Sequence, residues 1–328
     1  MRTTQILMLV VLVAIGLGLA GLVQAEWKFS GYTQMRYNFW DSDLDKGDAF
    51  DARRARIKVE GPVSEETTFK IQIDLAKLDD TGGGEVELKD LLLTRTLNEQ
   101  WKGSLGFTSV PFGYEVPTSS SKRLPLERSQ AANKLFPGER DTGLYFHYTP
   151  ENKKAPGIIF GFSNGMAKWY EADKSGNEDT DSWALMARLQ WHLPNEGCAG
   201  LSYRLADRTR EVGGLEEDYD DDLLGLHVRY NFPRNWALQA EYYDGSDMDV
   251  DVSGWYGQAE YAFSGRPATA FYRYDVYDFG GSDDFTRHTA GFAWDLDKNE
   301  RVTVQIEDYD DGKGDSFTNG AVQYQIKY

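Results

Sequence analysis

The sequence predicts a transmembrane antiparallel up-and-down β-barrel of about 16 strands. Three observations carry that expectation. In the last segment Val322, Tyr324, Ile326 and Tyr328 share one side of an extended strand, and Gln323, Gln325 and Lys327 share the other. The same two-faced pattern recurs through most of the chain. Short and long connections alternate from beginning to end, an asymmetry expected of a membrane barrel and not of a soluble sandwich.

The elements follow in order. The first strand is read at 26–40, a long connection at 41–48, and the second strand at 49–60. A short turn at 62–66 leads to strand 67–77, a long connection at 78–84 to strand 85–97, and a turn at 98–99 to strand 100–109. The connection 110–140 is the longest. Strands 141–149 and 156–164 flank the turn 150–155, and the long connection 165–181 precedes strands 182–192 and 198–207. A long acidic connection at 208–221 opens strands 222–232 and 235–245, and a connection at 246–251 opens strands 252–263 and 267–277. The connection 278–284 and strands 285–295 and 300–309 come next, then the connection 310–315 and strand 316–328. The short turns carry Pro, Gly and Asn, which bend a backbone at little cost. The long connections carry Asp, Glu and Gly.

Alternation assigns the faces. Leu224, Leu226, Val228, Tyr230 and Phe232 oppose His227, Arg229 and Asn231. Trp183, Leu185, Ala187, Leu189 and Trp191 oppose Arg188, Gln190 and His192. Val302, Val304 and Ile306 oppose Arg301, Thr303, Gln305 and Glu307. A cationic side chain at the lipid midplane costs roughly 2–4 kcal/mol, so the apolar set meets lipid and the polar set lines a wet interior. The same parity sends Arg36, Arg54, Arg56, Lys58, Arg188, Arg204, Arg229 and Arg273 inward. It sends Asp74, Glu241, Glu260, Asp275 and Glu307 inward as well.

Composition agrees. The 328 residues carry a formal charge of −18, nine Trp and nineteen Tyr. A mean hydropathy of −0.56 excludes a bundle of membrane helices but not a barrel, in which only alternate residues meet lipid. Much of the acidic excess falls in the long connections, most densely at 216–222, so local charge governs what passes the interior. The single Cys198 forms no intramolecular disulfide. At the start, Arg2, the apolar run 6–23 and Val23-Gln24-Ala25 read as a signal peptide cut after Ala25, leaving 26–328 as one barrel domain.

The connection 110–140 is too long to be a plain turn. Pro111, Pro117, Pro125 and Pro137 stiffen it. Lys122, Arg123, Arg128, Lys134 and Arg140 outnumber Glu115, Glu127 and Glu139. We expect it to fold into the lumen as a constriction loop whose arginines hold anions by charge-assisted bonds.

Several stretches resemble one family. They are Phe50-Asp51-Ala52-Arg53-Arg54-Ala55-Arg56-Ile57-Lys58, Phe69-Lys70-Ile71-Gln72-Ile73-Asp74 and Val110-Pro111-Phe112-Gly113-Tyr114-Glu115. Leu126-Glu127-Arg128-Ser129 and Phe136-Pro137-Gly138-Glu139-Arg140-Asp141-Thr142-Gly143 complete the set. In order and spacing they resemble the phosphate-selective porins of the O and P type over 26–165. The resemblance implies a homotrimeric outer-membrane porin of sixteen strands, its third outer loop in the pore, passing small anions along arginines and a lysine cluster. No dense lysine cluster occupies the lumen positions here and acids are interspersed, so phosphate selectivity does not follow. Lipid and lipopolysaccharide are the implied surroundings.

Two other classes stay open on the residues alone. A barrel hydrolase needs a nucleophile beside a base. His147, His192, His227 and His288 are scattered over four strands, none beside a Ser in a recognisable elbow. A structural or adhesive barrel would use clustered carboxylates, at 216–222 or 244–251, to bridge lipopolysaccharide phosphates through divalent cations. Nothing calls for nucleic acid or a cofactor, and Gly82-Gly83-Gly84 lacks the Lys-Ser/Thr of a phosphate loop.

Overall fold

Strands with one apolar and one polar face bury neither face alone, and an open sheet would leave edge amides in lipid; closing the sheet removes both problems. The computed structural model describes residues 26–40, 48–76, 85–165, 182–212, 215–281, 284–312 and 314–328. The expected signal peptide and most of the connections at 41–48, 78–84 and 165–181 lie outside the described residues. The strands are β1 (Lys28–Trp40), β2 (Ala49–Pro62), β3 (Thr67–Asp74), β4 (Glu87–Thr96), β5 (Trp101–Ser109), β6 (Arg140–Tyr148), β7 (Gly157–Ser163) and β8 (Trp183–Leu193). Then come β9 (Gly197–Val212), β10 (Leu215–Asn231), β11 (Trp236–Asp247), β12 (Val250–Ala262), β13 (Ala268–Phe279), β14 (Phe285–Asp295), β15 (Glu300–Asp310) and β16 (Ser316–Lys327). Each pairs antiparallel with its sequence neighbours, and β1 closes on β16 from Tyr32 opposite Lys327 to Trp40 opposite Asn319.

The faces fall as alternation requires. In β10, Leu226 and Val228 are 45% and 42% exposed on the outside, while His227 between them is 5% exposed inside. Val304 and Ile306 face out; Thr303, Gln305 and Glu307 are buried inside. Outward aromatics pair at the short-turn end, Trp101 on Tyr148 and Trp236 on Tyr261 with ring centroids 4.9 Å apart in both. Aromatic rings at this level form the interfacial girdle of such barrels.

Three details differ from expectation. The acidic stretch expected as a connection at 208–221 is mostly strand, because β9 runs to Val212 and β10 starts at Leu215. Cross-strand pairing satisfies the backbone wherever the hairpin stands, so an acidic sequence does not by itself break a ladder. Arg208, opposite Tyr219, ion-pairs with Asp221 and Asp247 there. The connection expected at 246–251 shrinks to Met248–Asp249, with φ of 54° and 60°, the left-handed pair of a tight two-residue hairpin. Third, the long loop carries a helix, α1 (Gln130–Leu135), capped where Ser129 Oγ accepts from the Ala132 N–H at 3.3 Å.

Two β-bulges set up the lumen. Gln34 opposes Arg54 and Met35 opposes Ala52, which leaves Arg53 as an extra residue in β2. Gln72 opposes Asp90 and Ile73 opposes Leu88, which leaves Lys89 extra in β4. A bulge interrupts period-two alternation, so two consecutive side chains reach the same side. Arg53 and Arg54 both contact the loop, and Lys89 and Asp90 are both buried.

Candidate functional site

The loop 110–139 leaves the wall after β5, crosses the lumen and returns at β6. One half of it is apolar. Phe112, Val116, Ala131, Ala132, Leu135 and Phe136 pack on Met186, Leu223, Tyr243, Val252 and Tyr277 from the facing wall. The wall makes room for them. A Cβ on inward-facing Gly225 would lie 2.4 Å from the Phe112 ring. Gly113, at φ +61°, takes a backbone conformation that favours glycine, and a Cβ there would lie 2.4 Å from Glu241 Oε1.

Polar bonds attach the rest. Gly113 N–H donates to Ser202 Oγ at 3.0 Å, and Glu115 N–H donates to Glu241 Oε2 at 2.9 Å. Leu126 N–H donates to Gln305 Oε1 at 2.9 Å, and Gln130 N–H donates to Asp275 Oδ1 at 2.8 Å. Tyr32 and Ser120 share a hydroxyl bond of 2.7 Å. The far edge is clamped through Glu127, which accepts from Arg36 at 2.9 Å, Arg53 at 2.8 Å and Arg54 at 3.0 Å. Burial alone would raise the Glu127 carboxyl, but Arg54, Arg53 and Arg36 outweigh it and hold the group well below the usual glutamate range.

Lumen arginines therefore divide by task. Arg36 and Arg54 hold Glu127. Arg204 donates to the Gly165 carbonyl at 2.9 Å and lies over the Phe136 ring at 5.9 Å. Arg273 is 0% exposed and binds Glu115 at 3.1 Å and Asp275 at 3.3 Å. Arg56, Lys58, Arg188, Arg229, Lys122, Arg123, Arg128 and Arg140 line cavities. Lys134 is exposed in the last turn of α1 and lines neither cavity.

Two cavities of about 1050 and 700 Å³ meet at Pro117–Ser119 and Lys122. The larger carries Lys122, Arg123, Arg229, Arg234 and Arg301 against Glu115 and Glu260. Arg229 grips Glu260 with both Nη atoms at 2.8 Å. None of the three Arg123 guanidinium nitrogens has a hydrogen-bond partner among the described residues. Burial, then the neighbouring Arg128 and Arg54, depress its pKa. In the smaller cavity Arg56 binds Asp74 at 2.9 Å, Lys58 binds Glu60 at 3.0 Å, and Lys70 binds Asp90 at 3.2 Å. Arg188 bonds Gln190.

Strict alternation missed Arg53 and Lys89, which only the bulges turn inward, and the parity list omitted buried Arg287, which binds Asp275 at 3.0 Å. Gly225, bare on the lumen face where the Phe112 ring lies, was the available signal for the docked loop. The histidines do not converge. His227 is buried inside, His147 lines the smaller cavity, and His288 faces outward, sharing a 2.6 Å bond with the Tyr272 hydroxyl.

The comparisons agree with this geometry. An anion-selective porin from Comamonas acidovorans superposes with a TM-score of 0.67 at 15% identity, covering 93% of this chain and 100% of that one. OmpT of Vibrio cholerae in a trimer form gives 0.66 at 11% identity, over 93% and 99% of the two chains. OprB of Pseudomonas putida gives 0.65 at 9% identity, over 93% and 94%. Identities this low establish the fold alone. A search of curated proteins finds no match. The family model of the phosphate-selective porins O and P matches residues 29–198, more than half of the chain. An inward-folded third loop, a charged lumen and that match together place the chain in the phosphate-selective porin O and P family, as a porin of the bacterial outer membrane.

Proposed function

We propose that this porin passes small hydrophilic solutes passively and prefers anions, phosphate among them. The observation that carries the reading is the excess of cations over carboxylates on both cavity walls, in a chain whose formal charge is −18. Local charge sets the potential a permeating ion feels. Arg123 lines the larger cavity with its guanidinium nitrogens buried and without a hydrogen-bond partner among the described residues, and Lys122 beside it is exposed where the two cavities meet. Arg56, Lys58, Arg188 and Arg229 extend that field along the wall, each balanced by a nearby polar or acidic group. Weak contacts at many sites suit conduction, because an ion held tightly does not leave. Movement down a gradient needs no catalytic group or cofactor.

The anion-selective neighbour from Comamonas acidovorans supports anion preference, and the trimer form of the Vibrio cholerae protein supports a homotrimer; lipid and lipopolysaccharide around it are part of the proposal. Reversal potentials across a planar bilayer under a potassium chloride gradient test the reading. The expected sign is that of chloride; a potential of the potassium sign ends it. Repeating the recording in phosphate decides whether phosphate is among the permeant anions.

A further inference from the structure

At the return of the loop, where it rejoins the wall, stands a carboxylate whose surroundings are those of a bound oxyanion. Glu139 takes φ of +57° directly after Gly138 at +83°. Its backbone is held on both sides: its N–H donates to the Phe136 carbonyl, and its carbonyl accepts from Val110 N–H, each at 3.0 Å. A non-glycine residue in this region carries backbone strain that the surrounding structure must over-determine. Here the strained backbone carries the side chain to the wall of the smaller cavity, among Arg56, Arg128 and Arg140. Oε1 accepts from Arg140 Nη1 at 2.5 Å, and Oε2 accepts from Arg128 Nη1.

Two guanidinium groups, one to each oxygen, are the arrangement that recognises a carboxylate or a phosphate. Arg128 is fixed in that position by the carbonyls of Glu115 at 3.1 Å and Val116 at 2.9 Å. Arg140 also lies 3.5 Å from Asp90. Arg56 has its own partner in Asp74, so Glu139 is the group that answers Arg128. The guanidinium pair is thus built for an oxyanion, open to the cavity, and already occupied by one that cannot leave.

We propose that Glu139 is a resident counter-anion: it fills the oxyanion position between Arg128 and Arg140, and permeating oxyanions pass by competing with it. The proposal rests on the anion-preferring reading above and adds the residue that keeps binding weak enough for release. With the carboxylate in place, an incoming phosphate finds the guanidinium groups partly satisfied and moves on. Without it, phosphate finds an empty bidentate site and stays.

The test uses the purified full-length porin in planar bilayers, with chloride current recorded while phosphate is added. In Glu139→Gln the phosphate concentration that halves the chloride current should fall at least tenfold below that of the natural channel. Glu139→Asp, which keeps the charge one methylene farther back, should fall between the two, and it carries the test if the Gln variant does not assemble. An unchanged or absent block in both variants of an anion-selective channel overturns the competitor role and leaves the porin reading standing. A larger chloride conductance with no tighter block marks a displaced loop and also overturns it. A cation-selective natural channel removes the anion-preferring reading and this inference with it.

Discussion

Glu127 illustrates how much rests on one side chain. Three guanidinium groups from β1 and β2 converge on it, and two of them, Arg36 and Arg54, are buried, so losing the carboxylate leaves two desolvated cations with only the neutral Gln323 and Gln34 as partners. Glu127→Gln should therefore lower resistance to urea unfolding and free the far edge of the loop, read as a larger and noisier single-channel conductance. The pH dependence has a definite sign. The folded-state pKa is depressed below the ordinary 4.5, so the clamp contributes fully above that value and is lost only as pH falls through the lower folded-state one. The loss of urea resistance in Glu127→Gln relative to the natural channel should be the same at about pH 7 and about pH 5, and a difference that shrinks inside that window would contradict the clamp as described. The sequence supplied Arg36 and Arg54 by parity, but Arg53 was not legible. Its inward turn depends on an unequal residue count between two paired strands, which neither strand shows alone.

At the scale of elements, the docked loop depends on a glycine in one strand and an aromatic side chain in the loop. Gly225→Val puts two methyl groups where the Phe112 ring lies, so the loop must move away from β10. The expected outcome is altered conductance with the barrel still assembled, since the ladder between β10 and its neighbours does not need that position bare. Phe136→Ala removes a buried ring from the same cluster and should cost about 3–5 kcal/mol, measured by unfolding in lipid vesicles. The strands were legible because a one-residue slip exchanges the lipid and water faces, so the alternation is strongly enforced. The end of β9, the start of β10 and helix α1 were not. An acidic hairpin beyond the bilayer and a single capped turn have little alternation to read, and cross-strand or tertiary contacts decide them.

For the whole molecule, the bilayer is the solvent that sorts side chains. Leu226→Arg, placing a cation on the outer face of β10, should cost about 2–4 kcal/mol if it lies at the midplane, measured as the loss of unfolding free energy in vesicles. Changing Arg229, three residues along β10 on the inner face, should act instead on ion selectivity through its bond to Glu260. The two faces give different readouts from neighbouring residues, and a barrel with a dry, lipid-like interior would give the same one. Net charge offers no guide at this scale, because acids gathered in the connections and the wall leave the cavities lined by an excess of cations.

The sequence by itself determined the number of strands, their order, the face of the side chains away from the two bulges and the presence of one outsized loop, since all of these follow from local alternation and turn chemistry. Only the tertiary structure decided which cations meet water and which are consumed in holding the loop. That outcome depends on distances between residues far apart in the chain, such as Glu127 with Arg36 and Glu115 with Arg273, and no local pattern encodes them.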